Sequence, residues 1–311
     1  MFRSLASLFF YTRFFKSFSV LGYRRALANQ PELIPDFRKQ TWLITGATGG
    51  IGRAIALNAN RFGARVLAVG RSKDKLAELK QAAEAPTRLV PLTADLSLVN
   101  EVMRLLDRRS VAARPIDVLI NNVGVLLNKH SVTVEGFETS FATNLLCPFA
   151  LTQALQTGGH LALKGLVINV SSGGMYGSPL KLEPMNALDS TAFDGMAAYA
   201  MHKRAQVELT RWWNRQWNGR PTVQVMHPGW VDTAGVQTAL PMFRRTLKSH
   251  LRTPDQGADT VIWLAENRPP VPADGGIWLD RKLESEHEFS WTQRSAHTAG
   301  DLVAYLENLI A

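Results

Sequence analysis

The apolar run Thr41-Trp-Leu-Ile-Thr45 ends in a cluster of glycines, Gly46-Ala-Thr-Gly49-Gly50-Ile51-Gly52, and then opens into a helical pattern over residues 53–61. A strand, a glycine-rich turn and a helix in this order commit the chain to a β-α unit, since glycines allow a tight turn and close packing of helix on strand. The pattern then repeats. Strand-like runs are read at residues 65–69, 88–92, 116–120, 166–170 and 222–226, with a seventh at 276–279. Helical segments are read at 72–83, 97–108 and 195–217, with a long helix between the fourth and fifth strands. Strands alternating with helices at this spacing predict an α/β fold: one doubly wound domain with a parallel sheet of about seven strands, covered by helices on both faces.

No linker interrupts the pattern and no internal repeat is visible, so the 311 residues divide into an arm at 1–38, a main domain at 39–280 and a tail with a short helix at 281–311. The net charge of +9 is uneven. Arg3, Arg13, Lys16, Arg24 and Arg25 lie in the first 31 residues with no acid among them, leaving +4 for the remainder. A nearly balanced main domain excludes a basic nucleic-acid face. The single cysteine, Cys147, precludes an internal disulfide, fits a cytoplasmic protein and reads as core.

In the arm, Phe10, Phe14, Phe18 and Leu21 recur at helical spacing, and Arg13, Lys16 and Arg24 fall on another side. Its longest uncharged run is too short to span a bilayer, and no small-residue cleavage site follows. A basic aromatic amphipathic helix fits an anionic membrane surface, at the inner face of a membrane, and fits packing on the protein's own core or a partner subunit equally well.

The glycine turn is placed where a dinucleotide pyrophosphate is held, with Gly46 for the turn, Gly50 for backbone approach, Gly52 for helix packing, and the free N–H groups of the helix N-terminus facing the phosphates. The second strand ends in Gly70-Arg71-Ser72 rather than in an acid. A guanidinium there pairs with a 2′-phosphate, which favours NADP(H) over NAD(H). No histidine or acid cluster has metal-ligand spacing, so no metal is expected.

Downstream, Tyr199 and Lys203 stand four residues apart on one helix face, after the serine pair Ser171-Ser172. A phenol holds its proton near pH 7, and a neighbouring ammonium is expected to move it toward the working range. His202 is expected to point about 100° away from Lys203 around the helix and to be structural. His227 is expected to shape the pocket.

Together these residues resemble the short-chain dehydrogenase/reductase family, within its retinol-dehydrogenase-like neighbourhood. Thr45, Gly46, Gly49, Gly50, Ile51 and Gly52 match its cofactor turn, Asp95-Leu96 its adenine contact, and Asn122-Val123-Gly124 its N-A-G motif with valine for alanine. Pro228-Gly229-Trp230-Val231-Asp232-Thr233 resembles its nicotinamide segment. The stretches 171–175, 193–195, 227–230, 256–260 and 280–282 carry the likeness to one subgroup. The resemblance implies a Rossmann-type fold and makes Asn144, Ser172, Tyr199 and Lys203 the catalytic set. Tyr199 is the expected acid and base, Lys203 lowers its pKa and holds the nicotinamide ribose, and Ser172 binds the substrate oxygen. Asn144 is expected to hold a water that relays protons to Lys203.

Residues 173–196 are longer than is usual between that serine and tyrosine, and Met175, Tyr176, Leu180, Leu182, Met185 and Phe193 are expected to give the pocket an apolar wall. Residues 233–252 form an apolar, basic lid without acids. Both suit a small lipophilic carbonyl or alcohol substrate. The resemblance also implies a homo-oligomer through the helices bearing Asn144 and Tyr199. Two other readings stand beside this one: a catalytically silent dinucleotide-sensing or scaffold protein, and a membrane-associated retinoid or lipid reductase.

Overall fold

The computed structural model describes residues 5–191, 193–272 and 275–310. Two helices precede the sheet, α1 (Leu5–Phe18) and α2 (Val20–Leu27). Then come β1 (Thr41–Thr45), α3 (Gly50–Arg61), β2 (Arg65–Gly70), α4 (Lys73–Ala82), β3 (Leu89–Thr93), α5 (Val99–Leu106), α6 (Arg109–Ala112), β4 (Ile116–Asn121), α7 (Thr139–Phe141) and α8 (Cys147–Thr157). β5 (Leu161–Val170), α9 (Gly195–Gln216), β6 (Thr222–Met226), α10 (Ala234–Ala239), α11 (Pro241–Leu247), α12 (Pro254–Asn267), β7 (Ile277–Leu279), β8 (Lys282–Glu284) and α13 (Ala299–Ile310) complete the chain.

One sheet contains all eight strands in the order β3-β2-β1-β4-β5-β6-β7-β8. The first seven run parallel, and their β-branched and aliphatic side chains are buried on both faces, as a sheet covered by helices requires. The strand order reverses between β1 and β4, and the crevice there, at the carboxyl ends of the strands, is where this topology places a ligand. Each end carries a residue singled out in the sequence: Thr45 on β1, Asn122 just past β4, Ser172 past β5 and Pro228 past β6.

The sheet differs from the seven-strand expectation by β8, which pairs antiparallel with β7. Three residues reading Lys-Leu-Glu carry little strand signal. The turn before them uses Asp280 and Arg281 at φ +52° and +64°, a hairpin geometry that usually announces itself through glycine or asparagine. Here two ion pairs hold it: Asp280 with Arg252, and Arg281 with Asp259 of α12. The segment after 280 therefore begins as part of the sheet.

The arm turns its apolar stripe inward. Phe14 and Phe18 are each 2% exposed and pack with Met175, Tyr176, Val207, Val225, Ile277 and Leu279. Burying two such rings contributes roughly 1.5–3 kcal/mol each. Phe9 and Leu21 face outward, as do Lys16, Arg24 and Arg25. Among the described residues no helix is long and apolar enough to cross a membrane. At the other end of the chain α13 lies on α9 with Leu302, Val303 and Leu306 buried, and Trp212, Trp217, Tyr305 and Leu309 pack on the same core. The chain's own tail therefore occupies part of the α9 surface where a subunit contact was expected.

Candidate active site

The glycine turn is built for close backbone approach. Gly46 and Gly50 adopt φ +65° and +51°, in the left-handed region open to glycine, and a Cβ on Gly52 would lie 2.2 Å from the Gly46 carbonyl oxygen. Gly49 faces open space. Thr45 and Asn122 hold the turn rather than face outward. The Thr45 hydroxyl donates to Ile120 O (3.0 Å) and accepts from the backbone N–H groups of Asn122 (2.9 Å) and Val123 (3.1 Å). Asn122 Nδ2 donates to Thr45 O at 2.9 Å. Thr233 arrives from the far side, with its Cγ2 only 3.1 Å from where a Gly50 side chain would begin. Ile51 packs beneath the turn, and close approach there by α12 depends on Gly257, whose Cβ would lie 2.8 Å from Val231.

Arg71 is exposed at the end of β2 and makes no hydrogen bond or ion pair among the described residues. Asp95 accepts from Ser97 N (2.9 Å) and Ser97 Oγ (2.7 Å), which fixes the turn after β3, while Leu96 is buried there.

β5 and α9 bring Ser172, Tyr199 and Lys203 together. Asp194 caps α9 by accepting from the N–H groups of Met196 and Ala197 at 2.9 and 3.1 Å, and Gly195 lets the helix start hard against Leu127, whose carbonyl oxygen would be 1.7 Å from a Cβ. The serine pair divides its work. Ser171 is buried and donates to the Lys203 carbonyl (2.8 Å), whereas Ser172 Oγ accepts from Gly174 N (3.2 Å) and shares the Gly174 corner with Tyr199: a Cβ on Gly174 would lie 3.6 Å from Ser172 Oγ and 3.7 Å from the Tyr199 ring. Lys203 Nζ lies 5.6 Å from the Tyr199 ring centre, and a side chain on Gly124 would begin 3.2 Å from it.

Lys203 is 2% exposed, and burial brings its pKa down to about 7. Tyr199 moves up: burial raises it and the nearby Ser172 hydroxyl only partly opposes this. The expectation that Lys203 draws the phenol toward neutral pH is thus corrected for the chain alone. A buried ammonium that is itself close to losing its proton contributes little at the pH where a phenol ionises.

Asn144 sits in a π-helical turn, residues Ala142–Leu146, that joins α7 to α8 within the expected long helix. Its amide grips one backbone residue at both ends: Oδ1 accepts from Val125 N (2.7 Å) and Nδ2 donates to Val125 O (2.8 Å). The link from Lys203 to Asn144 runs through Gln206, a residue the sequence reading passed over. Lys203 Nζ donates to Val170 O (2.9 Å) and to Gln206 Oε1 (3.3 Å), and Gln206 Nε2 donates to Asn144 O (2.8 Å). His202 points away from Lys203 as expected. Its Nε2 meets Met185 O at 3.0 Å and its Nδ1 meets Asn144 Nδ2 at 3.5 Å, so it ties the substrate loop to the Asn144 turn. Burial lowers His202 to about 4 and His227 to about 3, so both rings stay neutral at physiological pH.

The loop after Ser172 is less of a pocket wall than its composition suggests. Met175, Tyr176, Leu180 and Met185 are all buried in the core, and Tyr176 donates its hydroxyl to Ser285 O at 2.7 Å. Arg204 on α9 clamps the loop through the carbonyls of Met175 and Ser178. Leu188 and Met196 are exposed and Phe193 is half-buried, and these remain to meet a ligand. The lid is anchored at its root by a two-pronged ion pair of Arg244 with Asp232 at 2.7 and 3.0 Å, and Asn128 Nδ2 holds Ala239 O at 2.9 Å.

Phe18 of the arm and Arg252 of the lid have roles that the sequence reading did not give them. Phe18 backs the serine corner, since a Cβ on Gly173 would lie 2.4 Å from its ring, and its carbonyl accepts from Trp230 N at 2.8 Å. Arg252, 1% exposed, donates to the carbonyls of Ser17, Phe18, Ser19 and Pro228 and pairs with Asp280. It caps the end of α1 and fastens it to the Pro228 turn. His227 is fully buried against Phe18 at 4.6 Å, so it belongs to this joint and not to an open pocket. Only the contacts across 200 residues of sequence reveal these roles. Among the described residues no group of three or more His, Cys, Asp or Glu is placed to hold a metal.

Comparison with known proteins agrees with this geometry. Residues 40–183 match the family model for short chain dehydrogenase. Dehydrogenase/reductase SDR family member 12 of Bos taurus is 34% identical over 306 residues, covering 94% of each chain. Retinol dehydrogenase 14 of Mus musculus is 33% identical over 265 residues, 79% of each chain. Among solved structures, angucycline C-6 ketoreductase LanV with bound NADP superposes with a TM-score of 0.60 at 28% identity, covering 75% of this chain and 90% of that one. With a curated member matched along nearly its whole length, the chain belongs to the short-chain dehydrogenase/reductase family of oxidoreductases.

Proposed function

We propose that the protein is an NADP(H)-dependent oxidoreductase that interconverts a carbonyl and an alcohol on a lipophilic substrate, with Tyr199 as proton donor and acceptor. The observation that carries this reading is the convergence of Ser172 and Tyr199 on the Gly174 corner, 3.6 and 3.7 Å from where a Gly174 side chain would begin, beside buried Lys203 at the same sheet edge as the glycine turn.

The residues present fit the dinucleotide. The turn offers bare backbone at Gly46, Gly49 and Gly50 and the N-terminus of α3, and Arg71 offers an unpaired guanidinium. On this reading the backbone of residues 45–52 would hold the pyrophosphate, Arg71 the 2′-phosphate, and Asp95, Leu96, Asn122, Val123 and Gly124 the adenosine side. Pro228, Gly229, Val231 and Thr233 would hold the nicotinamide side, together with Tyr199 and Lys203. When bound, the nicotinamide supplies or accepts the hydride.

The chain does the rest. Tyr199 keeps its proton in the resting site and gives it to the carbonyl oxygen during reduction, or takes one from the alcohol in reverse. Ser172 steadies that oxygen where negative charge develops. Lys203, with two of its three N–H groups committed to Val170 and Gln206, retains one for the cofactor ribose. Exposed Leu188, Met196 and Met242 favour an apolar substrate, as does the likeness to a retinol dehydrogenase.

The test is a pair of titrations with NADPH and NADH, followed by tryptophan fluorescence, on wild type and Arg71→Ser. NADPH should bind roughly tenfold or more tightly, the scale of one charge-assisted pair, and the substitution should erase that preference. Equal or tighter NADH binding by the wild type would overturn the cofactor assignment. A carbonyl and alcohol panel that includes all-trans-retinal then probes the substrate class.

A further inference from the structure

We infer that Gln206 is a positioning residue of the acid–base centre: its side-chain amide bridges Lys203 to Asn144 where a relay water was expected, and so fixes the ammonium without itself passing a proton. The inference rests on the proposed role of Tyr199 and Lys203.

Gln206 follows Lys203 by three residues on α9, so the two side chains share a helix face, and it is 3% exposed. Its orientation is settled by chemistry. The Asn144 carbonyl has only lone pairs, so Nε2 must face it (2.8 Å), which turns Oε1 to the Lys203 ammonium (3.3 Å). No other orientation of the amide satisfies both neighbours. The Gln206 backbone is held in turn, its carbonyl accepting from Thr210 Oγ1 at 2.8 Å.

An amide in this position does something a water would not. Water accepts a proton on one side and releases another on the opposite side, whereas an amide would have to pass through a costly imidic acid form. The chain Lys203–Gln206–Asn144 therefore positions without conducting. The Asn144 side chain is likewise an amide, bonded to Val125 through both ends and within 3.5 Å of His202 Nδ1. Other groups near the ammonium do not substitute. Tyr199 presents its ring at 5.6 Å, His202 is kept neutral by burial, and no carboxylate hydrogen-bonds to Lys203 among the described residues.

The experiment compares Gln206→Leu, which keeps bulk without polar atoms, with Gln206→Ala, which leaves room for a water. Two readouts are taken: NADPH oxidation with all-trans-retinal, and the ionisation midpoint of Lys203 followed by NMR of labelled lysine side chains, assigned with Lys203→Met. The leucine variant should lose roughly tenfold or more in kcat with KM little changed, the scale of one hydrogen bond to a charged group. Its Lys203 midpoint should fall by on the order of one pH unit as an acceptor is lost. The alanine variant should return to within about threefold of wild type in kcat, because a water can fill the gap. A leucine variant with wild-type kcat or an unchanged Lys203 midpoint would overturn the inference, as would equal losses in both variants, which indicate packing alone. The NMR readout decides the matter even where retinal is not turned over, and Gln206→Met serves if the leucine variant does not fold. Tyr199→Phe is assayed alongside: full activity there would defeat the underlying reading of the site, independently of Gln206.

Discussion

Lys203 shows what a working side chain costs the fold. Its pKa falls from an ordinary 10.5 to about 7 on burial, so between those values the unfolded chain binds a proton that the folded chain does not. Stability therefore rises with pH across that window, and the penalty is present in full below pH 7. Lys203→Met should stabilise the protein at neutral pH, by up to about 4 kcal/mol less the cost of leaving Val170 O and Gln206 Oε1 without a donor. It should also flatten the rise of stability between pH 7 and 10, as read from denaturant unfolding at several pH values. An unchanged slope would show that the ammonium is not buried in solution. At this scale the sequence was legible in kind but not in contact. Four-residue spacing on a helix made Tyr199 and Lys203 neighbours, and the family resemblance added Ser172. The sequence could not say that Ser171 would bond the helix backbone while Ser172 met Tyr199 at the Gly174 corner. Thr45 and Asn122 were read as cofactor contacts, yet their side chains lock β1 to β4, since motif position does not reveal which way a side chain is spent.

Among elements, β1, β6 and the glycine turn were placed from pattern alone, whereas α1 and β8 acquired their meaning from partners far away in sequence. Helical spacing showed that Phe10, Phe14 and Phe18 share a face, but an apolar stripe does not name what it faces. The structure supplies the answer for Phe14 and Phe18: the serine corner, the Pro228 turn and the Arg252–Asp280 pair. Tyr11 and Phe15 extend the contact to Phe243 and His250 of the lid at 5.2 and 5.1 Å. The arm therefore supports both the floor of the site and its cover. Phe18→Ala should cost about 3–5 kcal/mol, in line with deletion of a fully buried ring, and lower Tm by roughly 5–10 °C in a thermal scan. A loss below about 1 kcal/mol would mean that the arm does not pack here. The stretches that carried the subgroup likeness prove to be joints of this kind. Gly257 admits α12 against Val231, and Asp259 and Asp280 hold the turn into β8.

The whole molecule brings these parts to one edge. Seven parallel strands deliver their carboxyl ends side by side, the order reverses between β1 and β4, and the glycine turn, the Ser172–Tyr199 pair and the Pro228 turn meet along that line. The alternating pattern was enough to foresee this arrangement, because parallel strands joined by helices have few other solutions. The pocket's outline was not foreseeable, because most apolar side chains of residues 173–196 turn into the core, leaving Leu188, Phe193 and Met196 near the surface. The most direct measurement is NADPH-dependent carbonyl reduction by wild type and Tyr199→Phe, with NADPH affinity determined on the same samples. The phenylalanine variant should bind NADPH within about twofold of wild type and lose at least about a hundredfold in kcat, the range for removing a general acid. Equal turnover by the two proteins would contradict the assignment of Tyr199 as the proton donor, and with it the account of this site.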